Sequence, residues 1–222
     1  MGKRGPKPKG RVDTKWRAEL AYAIGLITAD GSLSKNGRHI NFTSKDLDLI
    51  QTFQKCLGLE DIKIGRKESG YKNKSYCYQV QFGDVLFYNF LEQIGLHANK
   101  SLTIKSLSIP SEYFFDFVRG EWDGDGTIYR SQDKRWKSSF VISIGFASGS
   151  KEFLVWLQDE INQRLHTTGH VMQGVRVLQL RYARADTKKI FAAMFYKKNV
   201  PHLRRKFAKA KEIYRMDGLN LK

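Results

Sequence analysis

Residues 23–31 read Ala-Ile-Gly-Leu-Ile-Thr-Ala-Asp-Gly, and residues 118–126 read Val-Arg-Gly-Glu-Trp-Asp-Gly-Asp-Gly. At an offset of 95, Gly25 aligns with Gly120, Asp30 with Asp125 and Gly31 with Gly126, and the small Ala29 aligns with Gly124. The downstream stretches of the two halves also recur in the same order. Ile40-Asn-Phe-Thr-Ser-Lys45 and an apolar-periodic run to Leu57 parallel Ile144-Gly-Phe-Ala-Ser-Gly149 and a run to Leu165. Further on, Tyr78-Gln-Val-Gln-Phe82 leads into a helix-like Asp84–Ile94, as Leu178-Gln-Leu-Arg-Tyr182 leads into Asp186–Tyr196. Three blocks in one order point to duplication and fusion.

Each half reads as helix, two strands, helix, two strands, helix. The opening helices run from about Lys15 to Asp30 and from Glu112 to Asp125, each ended by a glycine. Alternation places Ile40 and Phe42, then Tyr78, Val80 and Phe82, then Leu178, Leu180 and Tyr182, on buried faces. The opposite faces carry Asn41 and Thr43, Gln79 and Gln81, and Gln179 and Arg181. The fold class is therefore α+β, with helices on one side of the sheets and polar ladders on the other. Residues 1–17 form a basic arm, 18–109 the first repeat and 110–222 the second.

Gly25 and Ala29, like Gly120 and Gly124, lie four apart on one helix face. A helical glycine costs about 1 kcal/mol relative to alanine, so two matching small-residue stripes suggest that the helices approach closely. Packed together, they make Asp30 and Asp125 neighbours. Carboxylates there sit at the unfavourable end of the helix dipole and repel one another. A divalent cation between them reverses both penalties; oxygen ligands suit Mg²⁺ or Ca²⁺, and few protein ligands with many waters suit Mg²⁺. These are the only acids shared by both motifs, since Glu121 aligns with Leu26 and Asp123 with Thr28. A plain helix stop followed by a turn is the alternative for either motif taken alone.

Charge names the partner class. The chain has 39 basic and 22 acidic residues, a net charge of +17, which favours a polyanion. Residues 1–17 hold seven Lys or Arg against Asp13 and read as an extended mobile arm, a minor-groove contact or a solvated tail. Arg204 to Met216 reads as a basic helix. No apolar run approaches the ~18 residues of a membrane span, and no secretory signal is evident. Cys56 and Cys77 form no C-x-x-C pair and fit a reducing compartment. An intracellular protein of the cytoplasm or nucleoid, or of an organelle, is expected.

The two nonapeptides resemble the paired signature of the LAGLIDADG homing endonucleases in their single-chain, two-motif form. That resemblance implies two pseudo-symmetric αββαββα halves, a saddle of antiparallel sheets over double-stranded DNA, and a monomer. It implies that Asp30 and Asp125 bind Mg²⁺ with the carbonyls of Ala29 and Gly124, with Ca²⁺ supporting binding without cleavage. The implied activity is site-specific hydrolysis of both strands of a long asymmetric target, leaving short 3′ overhangs. Lys45 and Lys100 resemble the basic positions that order water and phosphate in the family. Gly149 stands where Lys45 would have its counterpart, and Arg204, Arg205 and Lys206 lie near that of Lys100. Target reading is expected from Arg38, Asn41, Thr43, Arg66, Gln79 and Gln81, and from Tyr129, Arg130, Gln179, Arg181 and Arg184. Intron RNA, bound by a maturase, and a DNA-binding regulator that does not cut are the competing expectations.

Overall fold

The computed structural model describes residues 10–68, 76–133, 136 and 140–216. The first half comprises α1 (Ala18–Asp30), β1 (Gly31–Leu33), β2 (His39–Ser44), α2 (Leu47–Leu57), β3 (Gly65–Glu68), β4 (Tyr76–Gly83) and α3 (Val85–Gln93). The second comprises α4 (Phe114–Asp125), β5 (Thr127–Gln132), β6 (Phe140–Ser148), α5 (Lys151–Leu165), β7 (His170–Gln173), β8 (Leu178–Tyr182), α6 (Arg184–Met194) and α7 (Arg204–Met216). The strand orders β1-β2-β4-β3 and β5-β6-β8-β7 are the same arrangement twice, antiparallel throughout. The molecule is thus α+β, with two four-stranded antiparallel sheets in two halves of like arrangement.

Local sequence sets the element boundaries. Asp84 caps α3, its carboxylate accepting from Phe87 N at 2.9 Å, and Ser150 caps α5 through Phe153 N. Gly58 ends α2 in the left-handed conformation at φ 68°, as a helix-stop glycine does. Gly31 and Gly126 do not: both are extended, with φ of −86° and −79°. Their requirement is space. A Cβ on Gly31 would lie 2.6 Å from Ile27 Cα, and one on Gly126 2.2 Å from Trp122 Cδ1, because the chain folds straight from helix into strand over the last turn.

The apolar strand faces behave as alternation predicts. Ile40, Phe42, Val80, Phe82, Leu180 and Tyr182 are buried, and the ring centroids of Phe42 and the α2 residue Phe53 lie 4.6 Å apart, tilted by 31°. The second motif helix carries polar residues where the first carries apolar ones, and tertiary partners satisfy them. Arg119 is fully buried, donating to Asp116 Oδ1 at 2.6 Å and to the carbonyls of Met194 and Pro201 at 2.6 and 2.8 Å. Asp123 Oδ2 accepts from Tyr22 Oη at 2.8 Å and Leu203 N at 2.7 Å, tying α4 to α1 and to the start of α7.

The expected mobile arm needs correction. Residues 1–9 lie outside the described residues, but 10–17 are docked. Val12 is buried, and the amides of Arg11 and Val12 donate to Asp84 Oδ2 at 2.6 and 2.9 Å. The same carboxylate caps α3 through its other oxygen, so one aspartate fixes both segments. Trp16 packs 5.4 Å from Phe90. The basic composition concealed these two apolar anchors.

Candidate functional site

The small-residue stripes form the seam between the halves. A Cβ on Gly25 would lie 2.2 Å from the Phe117 carbonyl oxygen, and one on Gly120 2.1 Å from that of Tyr22. A Cβ on Gly124 would reach Ala29 Cβ at 2.3 Å and Asp30 Oδ2 at 3.6 Å. The two helices therefore run backbone against backbone, and their C-terminal aspartates emerge together. Both residues reach solvent, yet their carboxyl groups are hemmed in by the surrounding loops. That enclosure, and then the neighbouring Asp125, push the Asp30 carboxyl up to about 6, against the pull of Lys206 and Lys100. Asp125 is raised by the same enclosure, also against Lys206 and Lys100.

Two unequal cavities flank the pair. One, of about 390 Å³, is lined by Asp30, Asp125, Gly124, Thr43, Lys45 and Arg205. The other, of about 260 Å³, is lined by Asp125, Ala29, Thr28, Lys100, Glu121 and Gly149. Each combines the end of one motif helix with the aspartate of the other and the loop that follows β2 or β6.

The basic groups differ in setting. Lys45 is exposed at the end of β2. Lys100 is not a surface charge: it is 5% exposed, and its Nζ donates to Thr28 O at 2.6 Å, capping α1. Lys206 does the same for α4, donating to the carbonyls of Trp122, Gly124 and Gly126 at 2.8, 2.9 and 2.7 Å. It is therefore the structural counterpart of Lys100. The sequence offered it only as one of three adjacent cations. Burial lowers its ammonium to about 8, with nearby Arg205 adding to the effect and Asp123 and the paired aspartates opposing it. Arg205 instead forks onto Asp46, both contacts at 2.7 Å, bridging the halves across the larger cavity.

Strand register sorts the expected DNA contacts, because residues directly opposed in an antiparallel pair share a face. Asn41 opposes Gln81 and Thr43 opposes Gln79, so these four share the non-core face. Gln179 and Arg181 share the equivalent face with Tyr129, whose hydroxyl accepts from Arg181 Nη1 at 2.8 Å while Gln179 Oε1 accepts from Arg181 Nε at 2.9 Å. Two expectations fail. Arg66 opposes Tyr78 and lies over the Tyr76 ring at 4.1 Å, on the helix side; its neighbour Lys67, opposite Cys77, takes the polar face. Arg130 follows Tyr129 and so faces the core side with Ile128, over the Phe140 ring at 3.3 Å. Arg38 is exposed beside β2, and Arg184 opens α6 instead of extending a strand. His170, opposite Arg181, joins the polar face and was not anticipated.

Comparison with known proteins places these features. Residues 17–95 match the family model described as the LAGLIDADG-like domain. No curated protein sequence matches the chain. Among solved structures, the homing endonuclease I-WcaI bound to its DNA recognition sequence is similar at 14% identity and a TM-score of 0.62, over 88% of each chain. I-DmoI in complex with DNA and Mn is similar at 18% identity and a TM-score of 0.52, over 81% of this chain and 97% of that one. Full-length DUF199/WhiA from Thermatoga maritima is similar at 14% identity and a TM-score of 0.56. There the match covers 90% of this chain but only 63% of the WhiA chain. At these identities the likeness is one of fold. No helix among the described residues is long and apolar enough to cross a membrane.

Proposed function

We propose that this chain is a divalent-metal-dependent, site-specific DNA endonuclease that cuts both strands of a long asymmetric duplex and leaves short 3′ overhangs. The observation that carries the reading is the pair of aspartates brought together by the glycine seam, each raised in pKa by enclosure. Two carboxylates held at the negative ends of two helix dipoles, without a cation, oppose one another and both dipoles. The donor set is all oxygen and fits Mg²⁺, with Asp30 and Asp125 as ligands and the carbonyls of Ala29 and Gly124 beside them. Among the described residues no group of three or more His, Cys, Asp or Glu gathers as a metal site, so water and scissile phosphate would complete the shell. When bound, Mg²⁺ supplies the charge that activates water and stabilises the leaving 3′ oxygen. Lys45 faces the phosphate on one side, while Lys100 and Lys206 fix the two helix ends and so aim the carboxylates. The polar sheet faces of the two halves, 18–109 and 110–222, read the target, as a monomer.

The fold is shared with WhiA as well as with homing endonucleases, so fold alone does not carry cleavage; the aspartates do. Two observations favour a second reading, a DNA-binding protein that does not cut. The Gly124 carbonyl is already engaged by Lys206, and Gly149 leaves Lys45 without a counterpart. Selection for cleavage from a randomised duplex library in Mg²⁺, with a Ca²⁺ binding arm and a structured-RNA arm, separates the readings. Recovery of one long cut site supports the nuclease. Binding without cutting in Mg²⁺ supports the binding protein, and tight RNA binding without DNA cutting supports a maturase.

A further inference from the structure

Equivalent positions on the two sheets carry different chemistry. The register sets Asn41 opposite Gln81 in the first half and Gly145 opposite Arg181 in the second, with Gln79 and Gln179 two residues earlier on β4 and β8. In the first half the amides are weakly joined. Gln79 Nε2 lies 3.5 Å from Gln81 Oε1, and Asn41 Oδ1 has no hydrogen-bond partner. The second half is locked. Gly145 places no side chain on β6, so the Arg181 side chain crosses that strand to Tyr129 on β5. Its Nη1 donates to the Tyr129 hydroxyl at 2.8 Å, with Cζ 5.3 Å from the ring centroid, and Gln179 Oε1 accepts from Nε at 2.9 Å and also from Nη2. A Cβ on Gly145 would make ordinary contacts, at 3.4 Å from Thr127 Cγ2 and 3.8 Å from Arg181 Cγ. The backbone therefore accepts a side chain there, but one as long as the asparagine of the first half would stand in the guanidinium's path.

A guanidinium carries five coplanar N–H donors. Here neutral oxygens hold three of them, which fixes the plane without cancelling the charge, and two remain for a ligand. The side chain has already lost on folding the rotamer freedom that a loose arginine would lose on binding. Two parallel donors match the N7 and O6 acceptors of guanine on its major-groove edge. Adenine presents an acceptor beside a donor there, which a guanidinium cannot satisfy.

We infer that Arg181 reads one guanine in the half of the target that faces the second sheet, and that Gln179 and Tyr129 are its positioning residues instead of readers of bases of their own. Three side chains thus specify a single base pair, and Gly145 keeps the path between them open. The inference rests on the DNA-binding part of the proposed function and is independent of cleavage.

The test selects a binding sequence for the full chain from a randomised duplex library in Ca²⁺, then titrates that duplex and its single-base variants. Arg181→Ala loses about tenfold or more of the preference for guanine at one base pair, with the other positions and the salt slope unchanged. Tyr129→Phe, Gln179→Met and Gly145→Asn relax the same pair by about threefold or more, whereas Gln179→Glu, which keeps the acceptor, retains it. Replacing that guanine by 7-deazaguanine, which lacks the N7 acceptor, weakens wild-type binding by about fivefold or more and leaves Arg181→Ala unaffected. The wild-type half of that comparison needs no variant to fold. A Gln179→Met variant that relaxes a different base pair makes Gln179 a reader in its own right and overturns the inference. So does an Arg181→Ala loss that is uniform across sequences and flattens the salt slope by about one unit, the mark of a phosphate anchor. Both results leave duplex binding intact. A chain that recovers no duplex sequence overturns the inference and the proposed function together.

Discussion

At the scale of single residues, the function turns on two carboxylates. Replacing either Asp30 or Asp125 by Asn is expected to abolish cutting of both strands while leaving target binding in Ca²⁺ within about twofold, since base contacts lie on the sheets. Parallel cleavage and gel-shift titrations check this, and a variant that still made double-strand breaks would remove the assignment. The acids also set a pH dependence. The Asp30 and Asp123 carboxyls are pushed up to about 6 in the folded protein, from about 3.8. Their protonated forms favour the fold, so in chelator this stability is present at low pH and lost as pH rises from about 4 to about 6. The thermal midpoint of metal-free protein should fall across that window, and added Mg²⁺ should recover part of the loss at pH 7 but little at pH 5. A metal-free midpoint that rises from pH 4 to 6 in the wild type but not in Asp30→Asn would contradict the enclosure described for these carboxyls.

At the scale of elements, the glycine seam carries the fold. A methyl group on Gly25 or Gly120 meets a backbone carbonyl oxygen at 2.2 or 2.1 Å, and no side-chain rotation relieves that contact. Gly120→Ala is therefore expected to destabilise by about 3 kcal/mol or more, read from denaturant midpoints, despite alanine's better helix propensity. An Ala variant as stable as the wild type would show that the helices stand further apart. The seam was legible because both halves repeat the same costly glycines, and the strand faces because alternation survives in β2, β4 and β8. Arg66 and Arg130 were misplaced for the complementary reason. Each sits next to a residue on the other face, and a one-residue ambiguity in register turns a side chain over. Nothing local singled out Lys206 from its neighbours Arg204 and Arg205, because it owes its role to carbonyls about eighty positions away in the chain.

At the scale of the whole molecule, the +17 charge and the two polar sheet faces act together. Phosphate contacts should make target affinity fall steeply with salt, with a log–log slope near −0.9 for each neutralised phosphate. Substituting Gln79 or Arg181 by Ala should change affinity by about 1–3 kcal/mol for one base position and leave the salt slope unaltered. Substituting Lys67, on the same face as Gln79 but at the outer strand, should instead flatten the slope by about one unit with little change in sequence preference. Filter-binding titrations across salt, repeated on single-base target variants, distinguish the two. A uniform loss across all variants for Gln79→Ala would move that residue from reader to anchor.

The interlocked backbones of α1 and α4 also limit how such a protein can be rebuilt. With carbonyl oxygens seated over glycine Cα atoms, each half is the mould for the other, and a half borrowed from a relative brings a surface shaped for a different mate. Hybrids intended to recognise new targets should therefore be spliced in the strands and loops, with both helices inherited from one parent. Chimeras joined at residue 109 without that precaution are expected to be insoluble or to lose the alignment of their carboxylates.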